Sequence, residues 1–177
     1  MTVLTGAGVS AASGVPTFRG AGGLWRQFRP EVLATAEAFR SDPALVWQWY
    51  AWRREKIAGC EPNAAHHAIA RWSQHERCRV MTQNVDDLHL RAGTANLVRL
   101  HGSIWEMSCW DQCGQRTWPD PRRLEVADDG RRLPRCPACH GLARPAVTWF
   151  GEALDPGDLD RALAACSCDL FVTVGTS

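Results

Sequence analysis

Short runs of β-branched and aliphatic residues recur along the chain, and each run ends at a glycine or a polar residue. Such runs are typical of strands buried in a parallel sheet. They predict strands at residues 3–5, 79–82, 97–100 and 170–174. Between these runs, residues 43–57 carry aromatic side chains near helical spacing, and residues 63–72 follow the helix-start signals Pro62 and Asn63. The sequence therefore predicts helices over both segments.

The alternation of strands and helices predicts an α/β fold with a doubly wound, Rossmann-like parallel sheet. In such sheets, ligands bind beyond the carboxyl ends of the strands. Those ends carry glycine or polar residues here, namely Gly6, Gln83, Asn84, His101 and Gly175. We therefore expect these residues to surround one crevice.

Two segments interrupt this alternation: residues 21–59 are helical and rich in tryptophan, and residues 104–146 contain paired cysteines with much proline and arginine. We expect the two segments to form a smaller lobe, with a zinc module at residues 105–146. The whole chain, residues 1–177, is then a single domain. Its Rossmann-like part comprises residues 1–20, 60–103 and 147–177.

Composition narrows the class of protein. The chain has 177 residues, a net charge of +1 and interspersed acidic and basic side chains. A chain of this length buries roughly 70% of its unfolded surface, so it needs no disulfides to fold. The balanced charge disfavours nucleic acid as a partner. No apolar run approaches the roughly 20 residues that span a bilayer, so we expect a cytoplasmic protein, monomeric and away from membranes.

A glycine-rich turn follows the first predicted strand, where residues 6–20 read GAGVSAASGVPTFRG. Gly6 and Gly8 can adopt backbone angles closed to other residues and let a pyrophosphate approach, while Ser10 and Ser13 can cap or bond exposed amides. The spacing Gly-x-Gly-x-x-Ala departs from the dehydrogenase fingerprint. The turn by itself therefore predicts a phosphate site without identifying the ligand.

The paired cysteines have the spacing of a zinc site. Cys109 and Cys113 form one pair, and Cys136 and Cys139 form the other. Two such thiolate pairs suit tetrahedral zinc, and four protein ligands leave no position for a reactive water. We therefore expect one structural zinc ion, with His140 as an alternative ligand or a solvated neighbour. The remaining cysteines are interpreted as small buried thiols: Cys60, Cys78, Cys166 and Cys168.

Three further blocks accompany the glycine-rich turn in a fixed order: Gln83-Asn84-Val85-Asp86, His101-Gly102 and Trp149-Phe150-Gly151-Glu152. With these blocks the chain resembles the sirtuins over almost its whole length. It is most similar to the branch that removes succinyl and malonyl groups from lysine. The resemblance implies NAD-dependent deacylation of protein lysines, with nicotinamide and O-acyl-ADP-ribose as products.

The resemblance also implies roles for particular residues. His101 matches the catalytic base, and Asn84 and Asp86 match residues that position the ribose and the nicotinamide carboxamide. Two alternatives remain: His101 only bonds the end of a strand, or Asp86 or Asp87 caps the next helix. The cofactor-binding residues implied by the resemblance are Gly6, Ala7, Gly8, Ser10, Phe18, Arg19, Trp25, Gln83, Asn84, Asp86, Gly175, Thr176 and Ser177.

Tyr50 and Arg53 lie three residues apart on a predicted helix, so they share one face. Arg53 offers a bidentate fork to a carboxylate and Tyr50 adds a neutral donor, a pairing that matches the succinyl-removing branch. Ala34 leaves room for a long acyl chain. The alternative is that Tyr50 packs in the lobe and Arg53 pairs with a surface acid.

The segment Phe150, Gly151 and Glu152 resembles the strip that binds substrate peptide by strand addition. Thr148 stands where valine usually lines the acyl-lysine tunnel, and Ala12 stands where glutamate is usual. We expect substrate contacts from Ala34, Tyr50, Arg53, Thr148, Phe150, Gly151 and Glu152.

Sirtuins continue beyond the position that matches Ser177, and the resemblance places two further strands and the adenosine-binding loops there. We therefore expect the chain to be incomplete at its C-terminus and clipped in its first strand. An alternative function follows, a non-catalytic remnant that binds a nucleotide or a protein.

Overall fold

The computed structural model describes residues 1–15, 30–120 and 133–176. Phe18, Arg19, Trp25 and Ser177, four of the expected cofactor-binding residues, lie outside these ranges. The elements are, in chain order, β1 Thr2–Thr5, α1 Ala7–Ala11, α2 Pro30–Leu33, α3 Ala36–Ser41, α4 Pro43–Ala58, α5 Ala64–Ser73, β2 Arg79–Thr82, α6 Leu88–Arg91, β3 Leu97–Arg99, β4 Gly102–Cys109, β5 Trp118–Pro119, β6 Ala143–Val147, α7 Pro156–Cys166 and β7 Phe171–Val174. Each predicted strand and helix is found within about one residue of its expected bounds.

The main sheet has four parallel strands in the order β3-β2-β1-β7. Helix α5 packs on one face, where Ile69 joins Val3 and Val80 in a buried cluster. Helix α7 packs on the other face, where Ala162 joins Met81. Helices on both faces of a parallel sheet confirm the doubly wound α/β fold.

Helix α5 begins at the residue that the sequence indicated. The Asn63 side chain accepts from the amides of Ala65 and His66, and the His66 ring accepts from the Asn63 amide to complete a capping box. The Asn63 side chain also donates to the Val9 carbonyl and to Ser13. The cap therefore ties α5 to the turn that follows β1.

A second sheet is antiparallel, with the order β5-β4-β6. Strand β4 begins immediately after His101, and β6 ends at Val147, just before Thr148. Strand β4 thus crosses the boundary drawn from the sequence between residues 103 and 104. The two sheets meet where the candidate site lies.

The largest buried cluster joins α3 and α4 to this second sheet. Its bulkiest members are Trp47, Trp149, Tyr50 and Phe39, each no more than 2% exposed. Because Trp149 follows β6 directly, the cluster also anchors the segment expected to receive substrate. Across the described part of the chain, every helix is too short or too polar to span a bilayer.

Candidate active site and zinc centre

A cavity of about 450 Å³ opens beyond the carboxyl ends of β1, β2 and β3. Its wall includes six of the fourteen residues expected to bind cofactor or perform chemistry, namely Ala7, Ser10, Gln83, Asn84, Asp86 and His101. Four others that the structure describes are not among its lining residues, namely Gly6, Gly8, Gly175 and Thr176. The wall also includes all the residues expected to contact substrate, namely Ala34, Tyr50, Arg53, Thr148, Phe150, Gly151 and Glu152. Of the five strand-end residues expected to surround one crevice, Gln83, Asn84 and His101 line this cavity, whereas Gly6 and Gly175 do not.

The glycines after β1 pack against the loop after β7. The Gly6 amide donates to the Val174 carbonyl (3.2 Å) and the Gly8 amide to the Gly175 carbonyl (2.8 Å). A Cβ on Gly8 would lie 2.8 Å from the Gly175 Cα, and a Cβ on Gly6 would lie 2.6 Å from the Thr176 Cβ. The fold itself thus needs glycine at both positions. The amides of Gly6 and Gly8 already donate hydrogen bonds to carbonyls of the protein.

His101 follows β3 and is half-buried at the cavity wall. Its Nδ1 lies 2.9 Å from the Gln83 carbonyl oxygen. A carbonyl can only accept, so Nδ1 carries the proton and Nε2 keeps its lone pair. The strand-end bond that was the alternative interpretation therefore exists, and it leaves His101 in the tautomer that a base requires.

Ser10 is buried among side chains rather than bonded to exposed amides as expected. Its hydroxyl donates to Asp86 Oδ2 (2.7 Å) and accepts from Asn84 Nδ2 (3.1 Å). His66 Nε2 lies 3.3 Å from the same hydroxyl. Because the Asn63 amide donates to His66 Nδ1, the proton of this imidazole is on Nε2, which donates to Ser10. The hydroxyl consequently has one acceptor and two donors around it.

His66 is a residue that the sequence interpretation missed. Burial lowers its pKa, so the ring is neutral. Its position three residues after the N-cap Asn63 was the available signal, because that position completes a capping box.

Asn84 and Asp86 both face the cavity, as their spacing predicted. Asn84 Nδ2 donates to the Gly6 carbonyl (3.0 Å) and to Ser10, so both of its hydrogens are used and its side-chain oxygen is the group left to meet a ligand. Asp86 Oδ1 accepts from the Leu88 amide (3.1 Å). The N-cap residue of α6 is Asp87, whose side chain forms no capping bond, so Asp86 bonds the first helical amide from just outside the helix while it lines the cavity.

Tyr50 and Arg53 project from α4 into the same wall. Tyr50 is fully buried, and its phenol oxygen accepts from the indole N–H of Trp149 (2.9 Å). Burial raises the pKa of Tyr50 and lowers the pKa of Arg53. The Arg53 guanidinium carbon lies 4.9 Å from the centre of the Trp49 ring and 5.7 Å from that of Tyr50. Tyr50 therefore packs in the lobe and borders the cavity at once.

Residues 148–152 form a turn whose amides are mostly occupied. Thr148 N–H donates to the His101 carbonyl (3.0 Å), Phe150 N–H to the Ala34 carbonyl (2.9 Å), and Trp149 N–H to Glu152 Oε2 (2.8 Å). Strand addition at this strip thus depends on its carbonyls and on the Gly151 amide. The Ala34 carbonyl also places that small side chain beside the strip.

Glu152 has a second role that the sequence did not indicate. It forms a two-point ion pair with Arg144 of β6 (2.5 and 2.9 Å). Burial raises the pKa of Glu152, but hydrogen bonds from Arg144 and the Trp149 amide outweigh it and lower the pKa. The carboxylate is therefore ionised and held within the fold.

The four expected zinc ligands converge at the tip of the second sheet. Cys109 and Cys139 Sγ are 3.5 Å apart, Cys113 and Cys136 Sγ are 3.6 Å apart, and all four sulfurs lie within 4.8 Å of one another. A zinc–sulfur distance of about 2.3 Å gives tetrahedral sulfur separations of about 3.8 Å. The four thiols therefore fit one structural zinc ion.

Burial raises the pKa of Cys136, but the amides of Cys139 and Ala138 bring it down to about 7. The Gly141 amide lowers the pKa of Cys139, but hydrogen bonds with the neighbouring thiols outweigh it and raise that pKa to about 12, so zinc binding would have to displace the Cys139 proton. His140 is not part of the cluster found among the described residues. Cys60 and Cys78 are buried as expected, whereas that expectation is wrong for Cys166, which is exposed, and for Cys168, which is half-buried.

Comparison with known proteins places these features in a family. A model described as "Sir2 family" matches residues 6–177. The chain is 52% identical over 182 residues to "NAD-dependent protein deacylase 1" of Pseudomonas aeruginosa, covering 100% of this chain and 72% of that protein. It is 44% identical over 202 residues to "NAD-dependent protein deacylase sirtuin-5, mitochondrial" of Canis lupus familiaris, covering 100% and 64%.

A solved complex of a Sir2 homologue with NAD superposes with a TM-score of 0.87 at 47% identity, over 99% of this chain and 67% of that one. The matches in sequence and in fold thus extend over nearly the whole of this chain. The chain belongs to the Sir2 family.

Proposed function

We propose that this protein removes acyl groups from lysine side chains of proteins in an NAD-dependent reaction, with succinyl and malonyl preferred over acetyl. One water molecule is consumed together with NAD, and the products are free lysine, nicotinamide and O-acyl-ADP-ribose. The observation that carries the proposal is one cavity lined together by Asn84 and Asp86, by the cationic side chain of Arg53, and by His101, whose Nδ1 is held by Gln83. The deacylase names of the relatives support the reaction class.

The polar groups at the strand ends suit the nicotinamide and ribose part of NAD. Gln83 Oε1 accepts from the Thr176 hydroxyl (3.1 Å), which turns the Gln83 amide nitrogen toward a ligand as a donor. Asn84 offers its side-chain oxygen to a ribose hydroxyl or a water. A volume of about 450 Å³ lies in the range of small-molecule sites. Bound NAD supplies a ribose carbon whose bond to nicotinamide breaks.

His101 acts as the general base in this proposal. Nδ1–H is held by the Gln83 carbonyl, so the proton of a ribose hydroxyl is taken up at Nε2. A neutral imidazole in this tautomer has a free ring nitrogen that can accept that proton. Asp86, oriented by the Ser10 hydroxyl, accepts from the nicotinamide carboxamide.

Arg53 and Tyr50 select an acidic acyl group. Removing water from a guanidinium makes its charge costly, and a bound carboxylate compensates for that cost. Tyr50 keeps its proton because burial raises its pKa, so it adds a hydrogen-bond donor beside the cation. Ala34 presents only a methyl group and leaves length for a four-carbon acyl chain.

The proposed substrate is a lysine in an extended peptide. Phe150 is 51% exposed at the cavity mouth, and it lies next to Gly151, whose amide is available to a peptide carbonyl. Main-chain contacts of this kind place little demand on substrate sequence. Ligation of zinc by four thiols is consistent with a reducing compartment such as the cytoplasm.

The test is incubation of the purified protein with matched succinyl-lysine and acetyl-lysine peptides, with and without NAD. We expect nicotinamide and an acylated ADP-ribose by mass spectrometry, with more turnover of the succinyl peptide. Equal turnover of both peptides contradicts only the acyl preference and leaves the proposed deacylase activity intact. NAD binding by calorimetry without product from either peptide favours the non-catalytic alternative.

A further inference from the structure

Trp149 donates a hydrogen bond to the residue that the proposed function assigns to acyl selection. Its indole N–H lies 2.9 Å from the Tyr50 phenol oxygen. Both side chains are buried, with 2% of Trp149 and 0% of Tyr50 exposed. Water therefore does not compete for this bond, and the orientation of the indole determines which lone pair of the phenol is occupied.

The orientation of Trp149 is fixed from two directions. The Arg144 guanidinium carbon lies 3.4 Å from the centre of the Trp149 ring, so the cation covers one face. Arg144 also donates to the Val147 carbonyl (2.8 Å), and its ion pair with Glu152 holds the carboxylate that accepts the Trp149 amide (2.8 Å). The Arg144–Glu152 ion pair thus contacts both the ring and the backbone of Trp149. Rotation of the indole would disrupt the stacking of Arg144 on the ring.

We propose that Trp149 is a positioning residue for acyl selection, because its N–H occupies one side of the Tyr50 oxygen and turns the phenol hydrogen toward the acyl carboxylate. A phenol O–H lies near the ring plane and has two favoured directions. The Trp149 donor excludes one of them, and Tyr50 is also hydrogen-bonded to the Arg53 guanidinium, which the proposed function places at the same carboxylate. Tyr50 stays protonated because burial raises its pKa, so a hydrogen is available to donate. This inference rests on the proposed function, since it explains a preference for acidic acyl groups.

The substitution Trp149→Phe removes the donor and keeps an aromatic ring under Arg144. We expect the ratio of kcat/KM for succinyl over acetyl peptide to fall about fivefold, the usual effect of one net hydrogen bond, mainly through a higher KM for the succinyl peptide. Trp47→Phe is the matched control. Trp47 is also fully buried and donates its N–H to the Ala143 carbonyl (3.0 Å), but it is not part of the cavity wall.

A double-mutant cycle separates positioning from general destabilisation. In a Tyr50→Phe background there is no phenol hydrogen to direct, so Trp149→Phe should then change the succinyl-to-acetyl ratio by less than about twofold. An equal fall in both backgrounds means that Trp149 only supports the fold and overturns the inference. A similar fall in Trp47→Phe overturns it as well.

The hydrogen bond has a readout that is independent of turnover. With ¹⁵N-labelled tryptophan, the resonance missing from Trp149→Phe identifies the Trp149 indole N–H, and it should move upfield in Tyr50→Phe. An unmoved resonance overturns the inference while leaving the proposed function intact. Conversely, a wild-type protein without succinyl turnover contradicts the proposed acyl preference and removes the basis of the inference, whatever the resonance does.

Discussion

The imidazole of His101 donates its Nδ1 proton to the main-chain carbonyl of Gln83 over 2.9 Å. The two residues follow neighbouring parallel strands, β3 and β2, whose register pairs Thr82 with Arg99. The sheet itself thus sets the tautomer of the base, since the acceptor is backbone and cannot rotate away. Nε2 is the ring nitrogen that this bond leaves for a ligand in the cavity that His101 lines.

The first prediction concerns this base. His101→Ala should lower kcat by about 10²- to 10⁴-fold, the usual contribution of a positioned general base, and change the Kd for NAD only a few-fold. Steady-state kinetics and calorimetry measure the two effects. The exposed His67 provides the control, because His67→Ala removes an imidazole away from the cavity. Retention of wild-type kcat in His101→Ala contradicts the assignment.

The second prediction concerns acyl choice. Arg53→Met keeps the length of the side chain but removes the cation, so the ratio of kcat/KM for succinyl over acetyl peptide should fall by about tenfold or more. Competition between the two peptides in one reaction measures the ratio directly. Arg71→Met, at an exposed position on α5, should leave it unchanged. An unchanged ratio in Arg53→Met assigns the preference to other residues.

The main sheet and the positions of most site residues could be predicted from the sequence, because both depend on local patterns. Strand β2 has the buried aliphatic residues Val80 and Met81 at its centre, and Gln83 and Asn84 follow it directly. Placing such residues in one crevice requires only that parallel strands share a carboxyl edge.

The contacts that tune the site join residues far apart in sequence, and no local pattern encodes them. Tyr50 and Trp149 are separated by 99 positions, and Ser10 and Asp86 by 76. The glycines illustrate the same limit. The sequence indicated that Gly6 and Gly8 permit close approach, but only the fold shows that the approaching group includes Gly175.

The second sheet was missed for a physical reason. The pairing of β4 with β6 shifts register between Gly102 and Met107. Such an irregularity breaks the alternation of buried and exposed positions by which a strand is recognised. Two successive residues of β4, Ser103 and Ile104, are accordingly both buried, so buried and exposed positions do not alternate along the strand.

The third prediction concerns the metal. Cys136→Ser should reduce bound zinc from one equivalent towards none and lower the melting temperature, because structural zinc binding contributes directly to folding. Elemental analysis after gel filtration and thermal unfolding measure these effects. Cys166→Ser is the matched control, since Cys166 is exposed on α7 outside the cluster. One full equivalent of zinc in Cys136→Ser contradicts the ligand assignment.

The fourth prediction concerns stability in acid. His89 is 2% exposed, and burial, with a smaller contribution from His66, lowers its pKa from 6.5 to about 4. Between these values the unfolded chain binds a proton that the folded chain does not, so stability falls as pH drops below 6.5. Above pH 6.5 His89 is neutral in both states and has no effect. The loss at pH 5 is on the order of 2 kcal/mol.

Urea unfolding at pH 7.5 and pH 5.0 tests the effect by comparing variants. His89→Gln keeps a donor for the Thr5 hydroxyl and cannot titrate, so it should show a smaller drop between the two pH values than wild type. His67→Gln, at an exposed position, should keep the wild-type drop. The same drop in His89→Gln as in wild type shows that other groups account for the acid sensitivity.

The last prediction concerns a buried ion pair that connects α4 to the second sheet. Arg54 donates to Asp120 Oδ2 (2.7 Å) and to the Ile104 carbonyl (2.6 Å), and the two charged side chains are 3% and 4% exposed. Removing one charge leaves the other desolvated, which typically costs about 3 to 5 kcal/mol. Asp120→Asn should therefore lower the free energy of unfolding by that order. The exposed pair of Arg91 with Glu61 has a similar distance of 2.9 Å, but Glu61 is 80% exposed.

Glu61→Gln should consequently cost about 1 kcal/mol or less, since water screens that pair. Denaturant unfolding of both variants tests the contrast. If Asp120→Asn cost no more than Glu61→Gln, the Arg54 charge would have to be compensated by its other contacts, and the ion pair would not be what connects α4 to the strand that follows His101. A large loss for Asp120→Asn alone means that this buried charge pair helps to hold α4, which carries Tyr50 and Arg53, against the strand that follows His101.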